Sequence, residues 1–176
     1  RGDRNDKKFM DVLSHGLYGS APFLSNTNKK YFWFAFLIGI TPDALSFGIF
    51  MVLNLLGIYE RPDWQSGPPP VSAIPEFVSI LYDITHSLVI FALVFISVWI
   101  IRRKPFWPLL AWGIHILVDI PSHSDQFFPT PFLWPVSDFH LNGISWGSPV
   151  IFFPNWILIV LIYGGWFLWK KLHKQK

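Results

Sequence analysis

The sequence of 176 residues contains no cysteine. This absence excludes a disulfide framework, a thiolate zinc site, an iron–sulfur cluster and a cysteine nucleophile. Any transition-metal site in this chain must therefore be built from histidine, aspartate and glutamate side chains.

Charged residues are scarce as well. They make up 14% of the chain, against about 25% in an average soluble domain, while 52% of the residues are hydrophobic. Apolar runs of this length exclude intrinsic disorder, collagen and coiled coil. The net charge of +3 does not indicate a nucleic-acid partner, because lysines and arginines stand at the ends of the hydrophobic runs. In membrane proteins, lysines and arginines commonly flank the spans and hold their ends at the membrane interface. The composition indicates an integral membrane protein.

Four hydrophobic segments are candidates to cross a hydrocarbon core of about 30 Å. They cover residues 31–58, 77–101, 106–120 and 150–169, of which the third is the shortest. Residues 9–25 predict a further, weakly amphipathic helix that either lies along the interface or enters the bundle. We therefore expect an all-α integral membrane bundle of four transmembrane helices plus an N-terminal helix. It forms a single domain over residues 1–176, with outer loops at 59–76 and 121–149.

The positions of the cations predict the orientation, because lysines and arginines concentrate on the cytoplasmic side of a membrane protein. Within the predicted outer loops the only cation is Arg61. The cytoplasmic ends would carry three clusters: Lys7, Lys8, Lys29 and Lys30; Arg102, Arg103 and Lys104; and Lys170, Lys171, Lys174 and Lys176. All three clusters agree on one topology, in which both termini are cytoplasmic.

Ionisable side chains interrupt three of the predicted spans. Each costs about 2.5–3.5 kcal/mol on insertion scales, so such groups persist where they face a cavity, a partner or a metal. A helix rises about 1.5 Å per residue, which places four of them within about 7 Å of one another in height, between the midplane and the outer face. These four are Asp43, His86, His115 and Asp119. They predict a metal site.

The spacing and chemistry of these residues support that prediction. His115 and Asp119 form an H-x3-D pair, and residues four apart share one helix face. Imidazole and carboxylate ligands without sulfur favour zinc, with manganese or magnesium as alternatives. Taken singly, each histidine could instead be a hydrogen-bonding contact between helices.

Neighbouring residues add further expectations. Thr41 and Pro42 predict a break in the first span, so that Asp43 would begin a half-helix. Asp83 is a candidate to orient His86. The outer loop adds residues that are either ligands or catalysts, or simply part of a solvated loop: His123, Asp125, Asp138 and His140.

In this order the motifs resemble a bacterial family of inner-membrane metal-dependent hydrolases, some of them LexA-regulated. The matching residues are His15, Pro42-Asp43, Thr85-His86-Ser87, His115 with Asp119, and Leu133-Trp134-Pro135. The chain departs from the family at Leu81-Tyr82-Asp83, where His-Arg-Gly is frequent. The resemblance implies a multi-pass protein of the bacterial inner membrane with its site toward the outer face.

A more distant similarity is to zinc-dependent phospholipases C and single-strand nucleases, which cleave phosphoesters at a centre of two or three metals. It implies that Asp43, His86, His115 and Asp119 bind one metal. It further implies that His15 and Asp119 contribute to a second metal, and His123, Asp125 and His140 to the rest. Either Asp43 or Asp125 would position or deprotonate the attacking water.

We therefore expect a membrane-bound metal-dependent hydrolase that cleaves a phosphoester in a lipid or other amphiphilic substrate, with the bilayer and that substrate as partners and no nucleic acid. Two other functions use the same residues. One is a transporter in which Asp43, His86 and Asp119 relay protons or carry a metal. The other is a non-catalytic membrane scaffold whose histidines stabilise helix packing.

Overall fold

The computed structural model describes residues 9–63 and 68–173, and within these two ranges the fold is helical, with no β-strand. Its α-helices are α1 Phe9–Ser20, α2 Lys29–Asp43, α3 Ile49–Leu55, α4 Glu76–Thr85, α5 Leu88–Arg102, α6 Leu110–Ser122 and α7 Pro149–His173. Four of the lysines used to predict the orientation lie outside the described residues: Lys7, Lys8, Lys174 and Lys176. The orientation remains a prediction.

The first predicted span is one helix of 27 residues, Lys29–Leu55, formed by α2, a π-helical turn Ala44–Gly48 and α3. The predicted break at Pro42 is wrong. Thr41 does not cap a new helix, because its hydroxyl donates to the carbonyl of Leu37 at 2.7 Å. The helix continues through Pro42 and becomes irregular only after Asp43, in the π turn. There the hydroxyl of Ser46 donates to the Pro42 carbonyl at 2.9 Å.

The second predicted span is not one straight helix. It is broken between α4 and α5, which meet at an angle of 57°. The break falls at His86 and Ser87, and its cause is a cap: the Ser87 hydroxyl accepts from the amides of Val89 and Ile90 at 3.1 Å. The α4–α5 pair is therefore either one bent span or a re-entrant segment.

The third predicted span is too short to be confirmed. A 3₁₀ turn Trp107–Leu109 leads into α6, which has 13 residues, a length of about 20 Å. One face of this helix is buried, with Ala111 and Ile116 fully buried, whereas Leu117 is exposed. Four transmembrane helices are thus not confirmed. Within residues 9–63 and 68–173, two helices are long and apolar enough to cross a membrane, Lys29–Leu55 and α7, or three if the bent pair is counted as one span.

The N-terminal helix enters the bundle. The sequence alone had allowed this position or one along the membrane interface. Helix α1 and the 3₁₀ turn Ala21–Phe23 that follows it pack against α2 and α6. A small core cluster joins Phe23, Ala35 and Ala111. Gly19 permits the close approach, since a Cβ at this position would lie 2.7 Å from the Cβ of Ala111.

The segment between α6 and α7 is tied to the C-terminal end of α6 by backbone hydrogen bonds. The amides of Gly143, Ile144 and Trp146 donate to carbonyls of the last α6 residues and His123, at 2.8, 3.0 and 2.8 Å. Earlier in the same loop, the carbonyl of Phe128 accepts from the Tyr82 hydroxyl at 3.0 Å. The loop therefore covers the ends of α4 and α6, where the predicted site residues lie.

The close contact at Gly19 leads to a test of the α1 packing. Gly19→Ala would force α1 away from α2 and α6 and should destabilise the protein by about 1–3 kcal/mol. Gly164→Ala is the matched control, because a Cβ at Gly164 in α7 meets nothing within 4 Å. Thermal unfolding in detergent should show a lower midpoint for the first variant alone. Equal midpoints would contradict this account of how α1 is held.

Candidate metal centre

Four side chains from three parts of the fold meet at one buried point: Asp43 at the end of α2, His86 between α4 and α5, and His115 and Asp119 on α6. One nitrogen or oxygen of each lies within 4.8 Å of the others. Both histidines and Asp119 are fully buried, and 19% of the Asp43 side chain is exposed. The common height predicted from the sequence is confirmed.

The distances inside the cluster are short. The Nε2 atoms of His86 and His115 lie 3.1 Å apart. Asp119 Oδ2 is 3.0 Å from His115 Nε2 and 3.4 Å from His86 Nε2. Asp43 Oδ1 is 3.5 Å from His86 Nε2 and 3.8 Å from His115 Nε2. Two nitrogens and two oxygens thus converge on one small volume.

The tautomer of each histidine follows from the hydrogen bonds made by its Nδ1 atom. His115 Nδ1 donates to the carbonyl of Gly39 at 2.7 Å, since a carbonyl can only accept. His86 Nδ1 lies 3.1 Å from the carbonyl of Tyr82 and 3.0 Å from the hydroxyl oxygen of Thr85. The Thr85 hydroxyl gives its own hydrogen to the Leu81 carbonyl at 2.7 Å. Both neutral rings therefore direct an Nε2 lone pair into the cluster.

Two facing lone pairs and two carboxylates require a positive charge between them. Zinc–nitrogen and zinc–oxygen bonds of about 2.0–2.2 Å place tetrahedral ligands about 3.3 Å apart, and the distances here are 3.0–3.8 Å. Among the residues that the structure describes, none donates a hydrogen bond of normal geometry to either oxygen of the buried Asp119. The donor set and this carboxylate fit a divalent metal ion. An additional proton on one histidine is the other charge that would satisfy the pair.

Asp119 faces two further histidines with its second oxygen. Oδ1 lies 3.1 Å from Nε2 of His15, on α1, and 3.5 Å from Nδ1 of His123. The rings of His15 and His115 lie with their centroids 4.0 Å apart. The fold thus gathers all six residues predicted to bind metal, with Asp119 at their centre.

The outer-loop residues are arranged differently. Asp125 and His140 form an ion pair at 3.2 Å, with 52% and 41% of their side chains exposed. The Asp125 amide also donates to the side chain of Asn142 at 3.1 Å. Asp138 contacts His140 through its backbone carbonyl, at 3.0 Å. Among the described residues, no ion pair joins Asp125 or His140 to the buried cluster.

Sequence reasoning missed some of the residues that support the cluster. The residues that hold His86 are Tyr82 and Thr85, whereas Asp83 makes no hydrogen bond to His86 in the described part of the chain. The Tyr82 ring also stacks on His86, with centroids 3.8 Å apart. The available signal was spacing, since Tyr82 lies one helical turn before His86. The role of Gly39 is a backbone contact, which side-chain chemistry in a sequence does not indicate.

The hydroxyl of Thr85 provides a test of this supporting shell. Thr85→Val removes the oxygen beside His86 Nδ1 and should weaken metal binding by about 10–100-fold, the usual effect of losing a partner of a ligating histidine. Thr41→Val is the matched control, because Thr41 makes the same hydroxyl-to-carbonyl bond, to Leu37, on an exposed face. Zinc affinity measured by competition with a chelating dye distinguishes them. Equal affinities in both variants would contradict the orienting role of Thr85.

No protein-family model, curated protein or solved structure matches this chain. The membrane helices and the buried His/Asp cluster are therefore the features from which its function has to be argued.

Proposed function

We propose that this chain is a membrane-bound metal-dependent hydrolase that cleaves a phosphoester in a lipid or another amphiphilic substrate. The observation that carries the proposal is the convergence of two imidazole nitrogens and two carboxylate oxygens within 4.8 Å at a buried point. The motif order that resembles the inner-membrane hydrolase family supports the same function. It also supports a location in the bacterial inner membrane, with the site toward the outer face.

The donor set is suited to hydrolysis rather than to redox chemistry with sulfur ligands. Imidazole and carboxylate without thiolate favour zinc, with manganese or magnesium as alternatives. Such a metal, when bound, lowers the pKa of its water to about 7 and stabilises charge on the phosphoryl oxygens. Asp43 is the one partly exposed member of the four, so substrate and water would reach the cluster on its side.

The protein side chains then have distinct tasks. His86, His115 and Asp119 are buried and, with Asp43, would hold the metal. Asp43 positions the attacking water or removes its proton. The water oxygen forms a new bond to phosphorus, the bond from phosphorus to the leaving oxygen breaks, and a proton ends on the leaving alcohol. Asp125, paired with His140, is the alternative proton acceptor at the exposed edge of the loop.

The two-sided surroundings of Asp119 support a second metal. One oxygen faces His86 and His115, and the other faces His15 and His123. A carboxylate shared in this way is typical of a bridging ligand. Paired metals in phosphatases and nucleases, about 3.5–4 Å apart, stabilise both the attacking and the leaving oxygens. We assign His15 and His123 to this second position.

Metal content is the first test. Detergent-purified protein analysed by elemental mass spectrometry should hold one or more zinc or manganese ions per chain. The His115→Ala, Asp119→Ala double variant should hold none, because Asp119 serves both positions. A His15→Ala, His123→Ala double variant should retain the first ion and lose the second. His173→Ala, near the C-terminal end of α7 and bonded there to the Trp169 carbonyl, is the control that should match the wild type. A metal-free wild type, even after reconstitution, would overturn the proposal and favour the packing or proton-relay functions.

Activity is tested with a soluble phosphodiester, bis(p-nitrophenyl) phosphate. Asp43→Asn should lower kcat by about 10²–10⁴-fold, as expected for the loss of a general base. Metal content should be measured in the same preparation, so that a loss of metal can be recognised as a separate effect. Asp83→Asn, on α4, is the control, because in the described part of the chain Asp83 makes no hydrogen bond to His86. A metal-loaded wild type that cleaves no phosphoester would contradict hydrolysis and favour metal transport.

A further inference from the structure

Lysines and arginines stand at the ends of three helices: the start of α2, the end of α5 with the turn after it, and the last turn of α7. We call these seven residues the basic end: Lys29, Lys30, Arg102, Arg103, Lys104, Lys170 and Lys171. Within residues 9–63 and 68–173, the one other lysine or arginine is Arg61, in the segment between α3 and α4. Nearly all of the described positive charge therefore belongs to these three helix ends.

Aromatic side chains bring the end of α5 against the start of α2. The guanidinium carbon of Arg102 lies 4.7 Å from the centroid of the Phe106 ring. The same ring contacts Tyr31 and Phe34 of α2, with centroids 6.4 and 5.9 Å apart. The cations of the turn after α5 and those of the first turn of α2 therefore lie at the same end of the bundle.

Trp166 of α7 joins the third helix end to the other two and holds two ammonium groups beside one ring. The Nζ atoms of Lys29 and Lys170 lie 6.0 and 5.0 Å from the ring centroid. The indole N–H donates to the hydroxyl of Ser25 at 3.0 Å, which fixes the ring against the segment before α2. An aromatic face attracts a cation, but two like charges at one ring repel each other. An anion between the two lysines would turn this repulsion into attraction.

The described side chains do not supply that anion. Every ion pair among them joins a histidine to an aspartate, so within this part of the chain no carboxylate is paired with a cation of the basic end. Six of the seven cations are exposed, and Lys170 is half-buried. Their charge is therefore available to an anion from outside the described chain.

The position of the basic end favours a phospholipid over a soluble anion. Lys29 begins the candidate span of 27 residues, and Lys170 lies in the last turn of α7, the second candidate span. Both helices would therefore reach the membrane surface at this end. Exposed tryptophans, which are typical of the membrane–water interface, stand within three residues of these cations: Trp33, Trp107 and Trp169, with 59%, 54% and 53% of their surface exposed. Headgroup phosphates occupy the same level of a bilayer.

We propose that the basic end binds an acidic phospholipid whose headgroup phosphate lies beside the Trp166 ring, between Lys29 and Lys170. Each lysine or arginine near an anionic membrane surface strengthens the attraction about fivefold, and salt screens it. The lipid held here is a structural ligand and not the substrate. Along α2, Asp43 of the metal cluster lies 14 residues beyond Lys29, about 21 Å away, so this site does not depend on the hydrolase function.

The direct test is native mass spectrometry of the full chain in a neutral detergent, titrated with phosphatidylglycerol or with phosphatidylcholine of the same acyl chains. The wild type should bind phosphatidylglycerol more tightly. The Lys29→Gln, Lys170→Gln double variant should lose about 25-fold of this affinity, two fivefold losses, and keep its affinity for phosphatidylcholine. Equal affinities of the wild type for the two lipids, or no loss in the double variant, would overturn the proposal.

A matched pair of single variants separates the site from net charge. Lys170→Gln and Arg61→Gln each remove one positive charge, but only Lys170 contacts the Trp166 ring. Affinity for phosphatidylglycerol should fall about fivefold in the first variant alone. An equal fall in both would reduce the effect to overall charge and contradict the site.

Two further measurements decide the occupant and exclude misfolding. Inorganic phosphate at the same concentration should not displace phosphatidylglycerol, and displacement would replace the lipid by a soluble anion. In nanodiscs, phosphatidylglycerol should raise the unfolding midpoint of the wild type above its value in phosphatidylcholine, because a ligand of the folded state stabilises it. The double variant should unfold like the wild type in phosphatidylcholine and lose this difference. If the wild type unfolds at the same midpoint in both lipids, the proposal fails, whatever the outcome of the metal and phosphodiester assays.

Discussion

The burial of the Asp119 carboxylate is the constraint on which the rest of this structure depends. An isolated carboxylate in an apolar interior is very costly, so it must be compensated by positive charge or hydrogen bonds. Here imidazole nitrogens of His15, His86, His115 and His123 lie 3.0–3.5 Å from its two oxygens, and a cation held among them would supply the compensating charge. Only His115 and His123 lie on or next to the same helix as Asp119. The other two explain why α1 enters the bundle and why the chain between α4 and α5 passes beside α6.

The irregular backbone follows from the same constraint. A continuous helix over residues 76–102 would have kept His86 in a regular turn, whereas the break lets its ring reach the cluster while Ser87 caps the amides of α5. On the opposite side, the π turn begins directly after Asp43. Single π turns occur frequently at functional sites. Non-helical backbone at membrane depth is tolerated where it is buried in protein, and these irregular segments surround the cluster.

From the sequence, the residues of the cluster were predicted more accurately than the number of membrane spans. Equal heights of Asp43, His86 and His115 could be calculated because helix rise is constant, and a residue's depth depends little on whether its helix later bends. The span count failed because hydrophobicity does not distinguish a helix buried in protein from one that faces lipid. The short α6 is apolar because one of its faces packs inside the protein. The prediction at Pro42 failed because Thr41 was expected to cap a new helix that begins at Pro42. The Thr41 hydroxyl instead bonds to Leu37, and the helix continues and changes to π geometry only after Asp43. Contacts such as Gly39 to His115 depend on tertiary packing and leave no side-chain pattern.

The arrangement of the cluster also bears on the choice between a fixed metal and a proton relay. A relay needs groups that accept and release protons along a path, with bonds that can be exchanged. Here the second nitrogen of His115 and of His86 is held by backbone carbonyls, at 2.7 and 3.1 Å, which cannot donate a proton and so fix each tautomer. A fixed tautomer opposes proton passage through the ring and favours a permanent Nε2 ligand. Since both rings are fixed in this way and direct their free nitrogens at each other across 3.1 Å, a bound cation accounts for the geometry of both histidines. A proton on one ring would contact the other ring and both carboxylates as well, because each Nε2 lies 3.0–3.8 Å from an oxygen of Asp43 and of Asp119. The fixed tautomers, rather than the carboxylates, are therefore what favours a bound cation.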